Sequence, residues 1–171
     1  MTQARAQAER MHAVELLTEF GATDRIDVLS QVADLADERL IGWQYWAYKN
    51  WRDPTTESQT SGGQSLFTHD EDLSSVKLDK LRVLSRTYPQ ATAGIPQALS
   101  FDPDTGAFSY RYAPRAASGP TEIFVPVALH YPAGYTVSVT GARVISDADA
   151  SPLVVENLPG ATEVTVTLAR R

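Results

Sequence analysis

Leu16-Leu-Thr-Glu-Phe-Gly21 and Trp43-Gln-Tyr-Trp-Ala-Tyr48 are the two stretches on which the fold turns. The first, with Val14 before it, reads as a short apolar strand that ends at Thr18-Glu19-Phe20-Gly21. The second reads as a strand rich in aromatics. Between them Thr23 or Asp24 can cap a helix. Its core face is expected at Val28, Leu29, Val32, Leu35 and Ala36, a 3.6-residue period, with Asp34, Asp37 and Arg39 toward water. Gly42 follows the helix end near Ile41. Strand, helix, strand is the grammar of a parallel α/β sheet or barrel. Two parallel strands need neighbours on both edges and helices on both faces. Residues 1–90 therefore read as a slice of a barrel.

Outward from this pair, Met1 to Arg10 reads as a polar helix without the apolar stretch of a signal peptide. A chain opening in a helix is expected to be cut from something larger. After Tyr48 a polar loop runs from Asn50 to about Asp72, and a structureless loop of that length is usually functional or disordered. A helix is expected from about Leu73 to Arg86, with Leu73, Val76, Leu81 and Leu84 inward, ended by Tyr88-Pro89.

Beyond residue 90 the pattern changes to short alternating runs. Strands are expected at Leu99–Asp102, Phe108–Tyr112, Glu122–Val127, Tyr135–Thr140, Ala142–Ser146, Leu153–Glu156 and Glu163–Ala169. Pro103-Asp-Thr-Gly106, Gly134, Gly141 and Pro159-Gly160 supply the turns. Such spacing suggests a β-sandwich.

Composition narrows the function classes. With 15 Lys+Arg against 21 Asp+Glu the net charge is -6, which argues against a nucleic-acid protein. A hydrophobic content of 43% is enough for a core. The absence of cysteine excludes disulfides, thiolate zinc sites and a thiol nucleophile. No apolar run approaches the ~20 residues of a membrane span; the longest, Ile123 to Leu129, carries Pro126. There is no Gly-rich phosphate loop and no Gly-x-Ser-x-Gly. No cofactor is expected.

Glu19 stands out because catalytic residues of α/β barrels project from the C-terminal ends of strands. A carboxylate there can act as nucleophile or base, or be an ordinary surface glutamate. Trp43, Tyr45, Trp46, Tyr48 and Trp51 crowd into nine residues. Core packing accounts for most of them, and at least one is expected to face a pocket. His69-Asp-Glu-Asp72 is a weak metal candidate, since adjacent residues point in different directions, and a solvated helix N-terminus explains it better. No metal is expected.

Thr18-Glu-Phe-Gly-Ala22, Trp43-Gln-Tyr-Trp-Ala-Tyr48 and Asp53-Pro-Thr-Thr56 together resemble glycoside hydrolase family 5, in its endoglycoceramidase branch. The resemblance continues through Tyr88-Pro-Gln90, Ala93-Gly94, His130-Tyr-Pro-x-Gly-Tyr135 and Leu158-Pro-Gly-Ala-Thr-Glu-Val164. It implies the last strands and helices of a (β/α)8 (TIM) barrel over 1–90, followed by an all-β, immunoglobulin-like sandwich over 91–171. It implies a retaining glycosidase acting between oligosaccharide and ceramide, with Glu19 as nucleophile and Trp46 and Tyr48 binding substrate. Lys49-Asn-Trp51 has no counterpart in the resemblance.

Retaining hydrolysis needs two carboxylates about 5–5.5 Å apart. The family's acid/base glutamate follows an asparagine, and no Asn-Glu pair occurs in this chain. The 171 residues alone are therefore expected to be inactive. The resemblance further implies an exported, secreted or cell-surface setting and a glycolipid or oligosaccharide substrate. It leaves room for contact with a membrane surface and for a barrel segment as partner. A second reading makes the sandwich a carbohydrate- or lipid-binding module, with Tyr110, Tyr112, Tyr131 and Tyr135 as candidate exposed aromatics.

Overall fold

A computed structural model describes residues 2–49, 64–115 and 119–171. Trp51 and Asp53–Thr56 lie outside these. The chain divides into two units, Met1–Ala36 with Ile41–Leu84, and Asp37–Leu40 with Ser85–Arg171.

The first unit opens with the expected polar helix α1 (Thr2–Met11). Strand β1 (Leu16–Phe20), helix α2 (Ile26–Glu38) and strand β2 (Gly42–Tyr45) follow, and β1 and β2 pair in parallel as a two-stranded sheet. The helical period is as read, but the buried stripe is shifted: Leu29, Ala33, Ala36 and Asp37 are buried while Leu35 is exposed. Asp37 is inside because its carboxylate meets the buried Arg86 guanidinium, with Nε donating to Oδ2 at 2.8 Å.

The helix expected over 73–86 is two elements. Asp72 accepts a hydrogen bond from the Ser74 amide at 2.9 Å and caps a single 3-10 turn, Leu73–Ser75. Val76 then turns extended and bridges Phe67, and α3 (Leu78–Leu84) starts afresh. The restart changes the helical phase. Lys80 and Val83 face inward, and Leu73 is left in water.

The second unit is a β-sandwich. One sheet has the order β4-β5-β10-β7, with β4 (Gly94–Phe101), β5 (Phe108–Pro114), β7 (Tyr135–Thr140) and β10 (Val164–Arg170). The other runs β3-β6-β9-β8, with β3 (Tyr88–Ala91), β6 (Thr121–Phe124), β8 (Ala142–Val144) and β9 (Leu153–Asn157). All pairings are antiparallel. Inward residues of both sheets close one core, including Phe108, Tyr110, Ile123, Leu153, Val155 and Val166.

Two expectations change here. Tyr88-Pro89 does not merely stop a helix, because Tyr88–Ala91 pairs with β6. Pro89 fits there because β3 is an edge strand, as is β4 with Pro96, and both edges shift register beside the proline. The strand expected over 122–127 stops at Phe124, and past Pro126 the chain forms the short helix α4 (Val127–His130). Among the described residues no helix is long and apolar enough to cross a membrane.

The turn read at Pro103–Gly106 forms around Asp102. Its carboxylate accepts from the Asp104 and Thr105 amides and the Thr105 hydroxyl, and Gly106 takes the left-handed φ of 72°.

Candidate functional site

Because β1 and β2 are parallel, their C-terminal ends lie on one side. Glu19 is the penultimate residue of β1 and is exposed. The register pairs Leu17 with Trp43 and Phe20 with Tyr45, so β1 holds one residue more than β2 over this span. Thr18 and Glu19 sit in that irregularity, which bends a strand and re-aims its side chains. The next step of the pairing is made by Trp46, whose amide donates to the Phe20 carbonyl at 2.7 Å. Glu19 and Trp46 therefore lie toward the same end of the sheet, two residues apart across the pairing. Glu19 makes no side-chain hydrogen bond or ion pair among the described residues, leaving its carboxylate open to solvent.

β2 ends at Tyr45, short of the expected Tyr48, so strict alternation does not place Trp46 and Tyr48. Trp43 and Tyr45 both pack edge-on to Phe20, with centroids 5.1 and 6.2 Å away. The half-buried Trp46 is held by its indole, whose Nε1 donates to Gln64 Oε1 at 3.1 Å. Tyr48 lies 60% exposed, edge-on to Phe67 at 5.2 Å. The Trp46–Ala47 peptide bond is cis.

Gln64 carries more than the indole. Its carbonyl accepts from the Tyr45 hydroxyl at 2.6 Å and from the Ala47 amide at 3.1 Å. Burial pushes the Tyr45 phenol up to about 12; the positive charge of Lys77 opposes this, and the Asp24 carboxylate adds to it. Behind Tyr45 lies Lys80, 1% exposed. Its Nζ contacts Asp24 Oδ1 at 2.7 Å, donates to the Ser65 carbonyl at 3.3 Å and sits 5.7 Å from the Tyr45 ring centroid. Lys77 reaches the same Asp24 carboxylate at 2.8 Å. Partial burial raises the Asp24 carboxyl, but the hydrogen bonds and charges of Lys77 and Lys80 outweigh it and hold the group below its ordinary value. Gly21, at φ 111°, lets the chain pass the Tyr45 ring where a Cβ would collide with it.

The sequence thus pointed to Glu19, Trp46 and Tyr48 but not to Asp24, Gln64 or Lys80. Lys80 offered one faint signal, lying three residues before Val83 on what becomes the inward face of α3. His69-Asp-Glu-Asp72 is local scaffolding. Asp70 accepts from the Ser65 hydroxyl, Asp72 caps the 3-10 turn, and among the described residues no cluster suits a metal ion.

The four tyrosines considered as a ligand-binding face of the sandwich are core residues. Each hydroxyl has a partner inside the unit: Tyr110 with Thr92, Tyr112 with Asn157, Tyr131 with the Gly106 carbonyl and Tyr135 with the Ala150 carbonyl. Burying a tyrosine demands such a partner, and here every one is met.

Residues 86–168 match the glycoside hydrolase family 5 C-terminal domain, and the sandwich they form belongs to that domain family. Within it the similarity runs to the endoglycoceramidases. Endoglycoceramidase I of Rhodococcus hoagii (strain 103S) is 44% identical over 165 residues, which is 96% of this chain and 29% of that protein. Endoglycoceramidase of Hydra vulgaris is 29% identical over 134 residues, 77% of this chain and 24% of the other. The solved lactosyl-enzyme intermediate of endo-glycoceramidase II from Rhodococcus sp. superposes with a TM-score of 0.72 at 27% identity, covering 97% of this chain and 35% of that one. This chain thus spans about a third or less of the relatives it matches.

Proposed function

We propose that the first unit is the closing portion of a (β/α)8 glycosidase barrel, with β1 and β2 as adjacent barrel strands and Glu19 as its nucleophile. The observation that carries the reading is the placement of Glu19 in the β1 irregularity, toward the same C-terminal end of a parallel βαβ unit as Trp46. Barrel enzymes build their sites at that end. In this reading the residues up to Leu84 serve the barrel, and the β-rich unit from Ser85 onward is the sandwich that accompanies it.

The reaction is retaining hydrolysis of the bond between oligosaccharide and ceramide in a glycosphingolipid. The Glu19 carboxylate attacks the anomeric carbon while a second carboxylic acid, from another part of the barrel, protonates the leaving oxygen. A water activated by that second group then releases the sugar. Trp46 presents a flat apolar face to the sugar ring, and Tyr48 lines the entrance. The enzyme works outside the cell or at its surface, meeting its glycolipid at a membrane surface, and needs no cofactor. By itself the 171-residue chain does not turn over, because it supplies only one carboxylate of the pair.

The test is a chimera in which this chain replaces the matching part of endoglycoceramidase I of Rhodococcus hoagii, assayed on a fluorescent glycosphingolipid. The chimera is expected to hydrolyse it, the isolated chain to be inert, and Glu19→Gln in the chimera to lose activity by about 10³-fold or more. A folded Glu19→Gln chimera that keeps its activity refutes the assignment.

A further inference from the structure

We propose that Lys80 and Gln64 form a clamp that fixes the orientation of the Trp46 indole beside Glu19, making both positioning residues of the sugar-binding wall. The inference rests on the reading of Trp46 given above, but its test does not depend on activity.

Two sets of contacts meet in the clamp. Gln64 holds the segment after β2 at three points: the Trp46 indole through its side chain, and the Tyr45 hydroxyl and Ala47 amide through its carbonyl. Tyr45 and Ala47 flank Trp46, so one residue grips the tryptophan and both its neighbours. Lys80 then holds what holds Trp46. Its ammonium bonds the Ser65 carbonyl, adjacent to Gln64, and sits 5.7 Å from the Tyr45 ring centroid. It therefore flanks the Tyr45–Gln64 hydrogen bond, near the ring that donates and one residue along from the carbonyl that accepts.

A fully buried ammonium is costly unless its surroundings are fixed around it. Asp24 provides the counter-charge and is also held by Lys77. Asp24 lies in the loop that leaves β1 after Glu19, and Lys80 lies on α3. The cation thus ties the loop after β1 to the segment after β2. An indole held in one rotamer loses less freedom when a sugar ring stacks on it, which favours binding.

The readout is hydrogen exchange of the three indole N–H groups in the ¹⁵N-labelled 171-residue chain, assigned with Trp43→Phe and Trp51→Phe. The backbone amide of Leu29, bonded to the Arg25 carbonyl within the same unit, serves as internal reference. Lys80→Met is expected to speed exchange of the Trp46 indole by about tenfold while the Leu29 amide is unchanged. Lys80→Met leaves Asp24 its contact with Lys77, so no carboxylate is stranded. Gln64→Met, which removes the acceptor and no charge, is expected to do the same, and decides the matter alone if Lys80→Met does not fold. An unchanged Trp46 indole in either folded variant overturns the proposal. So does acceleration of Trp46 and Leu29 in step, which would mark a general loosening. If the chimera above proved inactive while these exchange rates behaved as expected, the clamp would stand and the catalytic reading would fall.

Discussion

Asp37 Oδ2 accepts a hydrogen bond from Arg86 Nε at 2.8 Å, and both side chains are buried. The guanidinium also donates through Nη2 to the Phe101 carbonyl at 2.8 Å and stands 5.2 Å from the Phe101 ring. Breaking one side of such a pair strands a charge away from water. Asp37→Ala should cost about 3 kcal/mol and Arg86→Met a similar amount. Urea unfolding followed by circular dichroism checks this. A double variant with apolar residues at both positions should lose less than the two single losses added together.

Gly21 is the second sensitive position. Its φ of 111° disfavours any side chain, and a Cβ would strike the Tyr45 ring. Gly21→Ala should destabilise the first unit by about 1–3 kcal/mol. In the active chimera it should also lower kcat/KM, because Tyr45 precedes Trp46. The sandwich, monitored through its own amides, should be unaffected.

Acid should act on the Asp102 turn. The Thr105 hydroxyl, opposed by partial desolvation and helped by the Asp104 and Thr105 amides and the charge of Arg170, holds the Asp102 carboxyl below its ordinary value. A depressed carboxyl contributes stability above the unfolded pKa of about 3.9, and that contribution disappears as pH falls through the folded value. Wild-type stability should therefore drop below about pH 4, and Asp102→Ala should show a shallower drop, by urea melts between about pH 2 and pH 6.

Alkali should act through the phenols. Burial pushes Tyr135 up to about 12, aided by the charge of Asp149 and by Tyr131. Tyr45 is likewise pushed up to about 12. Each stabilises the fold fully below the unfolded phenol pKa of about 10, and that contribution is lost as pH rises toward the folded value. Stability should fall between about pH 10 and pH 12, and Tyr135→Phe should make that fall less steep while removing the hydroxyl's bond to Ala150. Phenolate absorbance against pH, with thermal melts, tests both statements.

The parts of the fold set by local rules were legible in the sequence. The stripe through Leu29 and Ala36 declared α2, and Pro103-Asp-Thr-Gly106 declared the turn between β4 and β5. What escaped was decided by contacts distant in the chain. Asp37 reads as a solvated helix residue until Arg86 is brought to it. Lys80 reads as a surface lysine until the cap at Asp72 and the extended Val76 reset the phase of α3. β3 hid behind Pro89, which looks like a terminator unless the strand is known to lie at an edge. Glu19 was visible by its place at a strand end, but the extra residue that re-aims it was not, since register belongs to a pair of strands. Residues 50–63, which hold Trp51 and Asp53–Thr56, lie outside the described structure.

Pro89 and Pro96 deny an amide to two of the four outer strands of the sandwich. Neither β1 nor β2 contains a proline, and among the described residues their sheet has two strands. In a crowded refolding mixture the β3 and β4 edges are thus poor templates for a second molecule, while the parallel pair is a good one. The strand that carries Glu19 is therefore one place at which chains will meet. A polypeptide that docks there as a proper neighbour suppresses clumping by the same hydrogen bonds with which it completes the sheet.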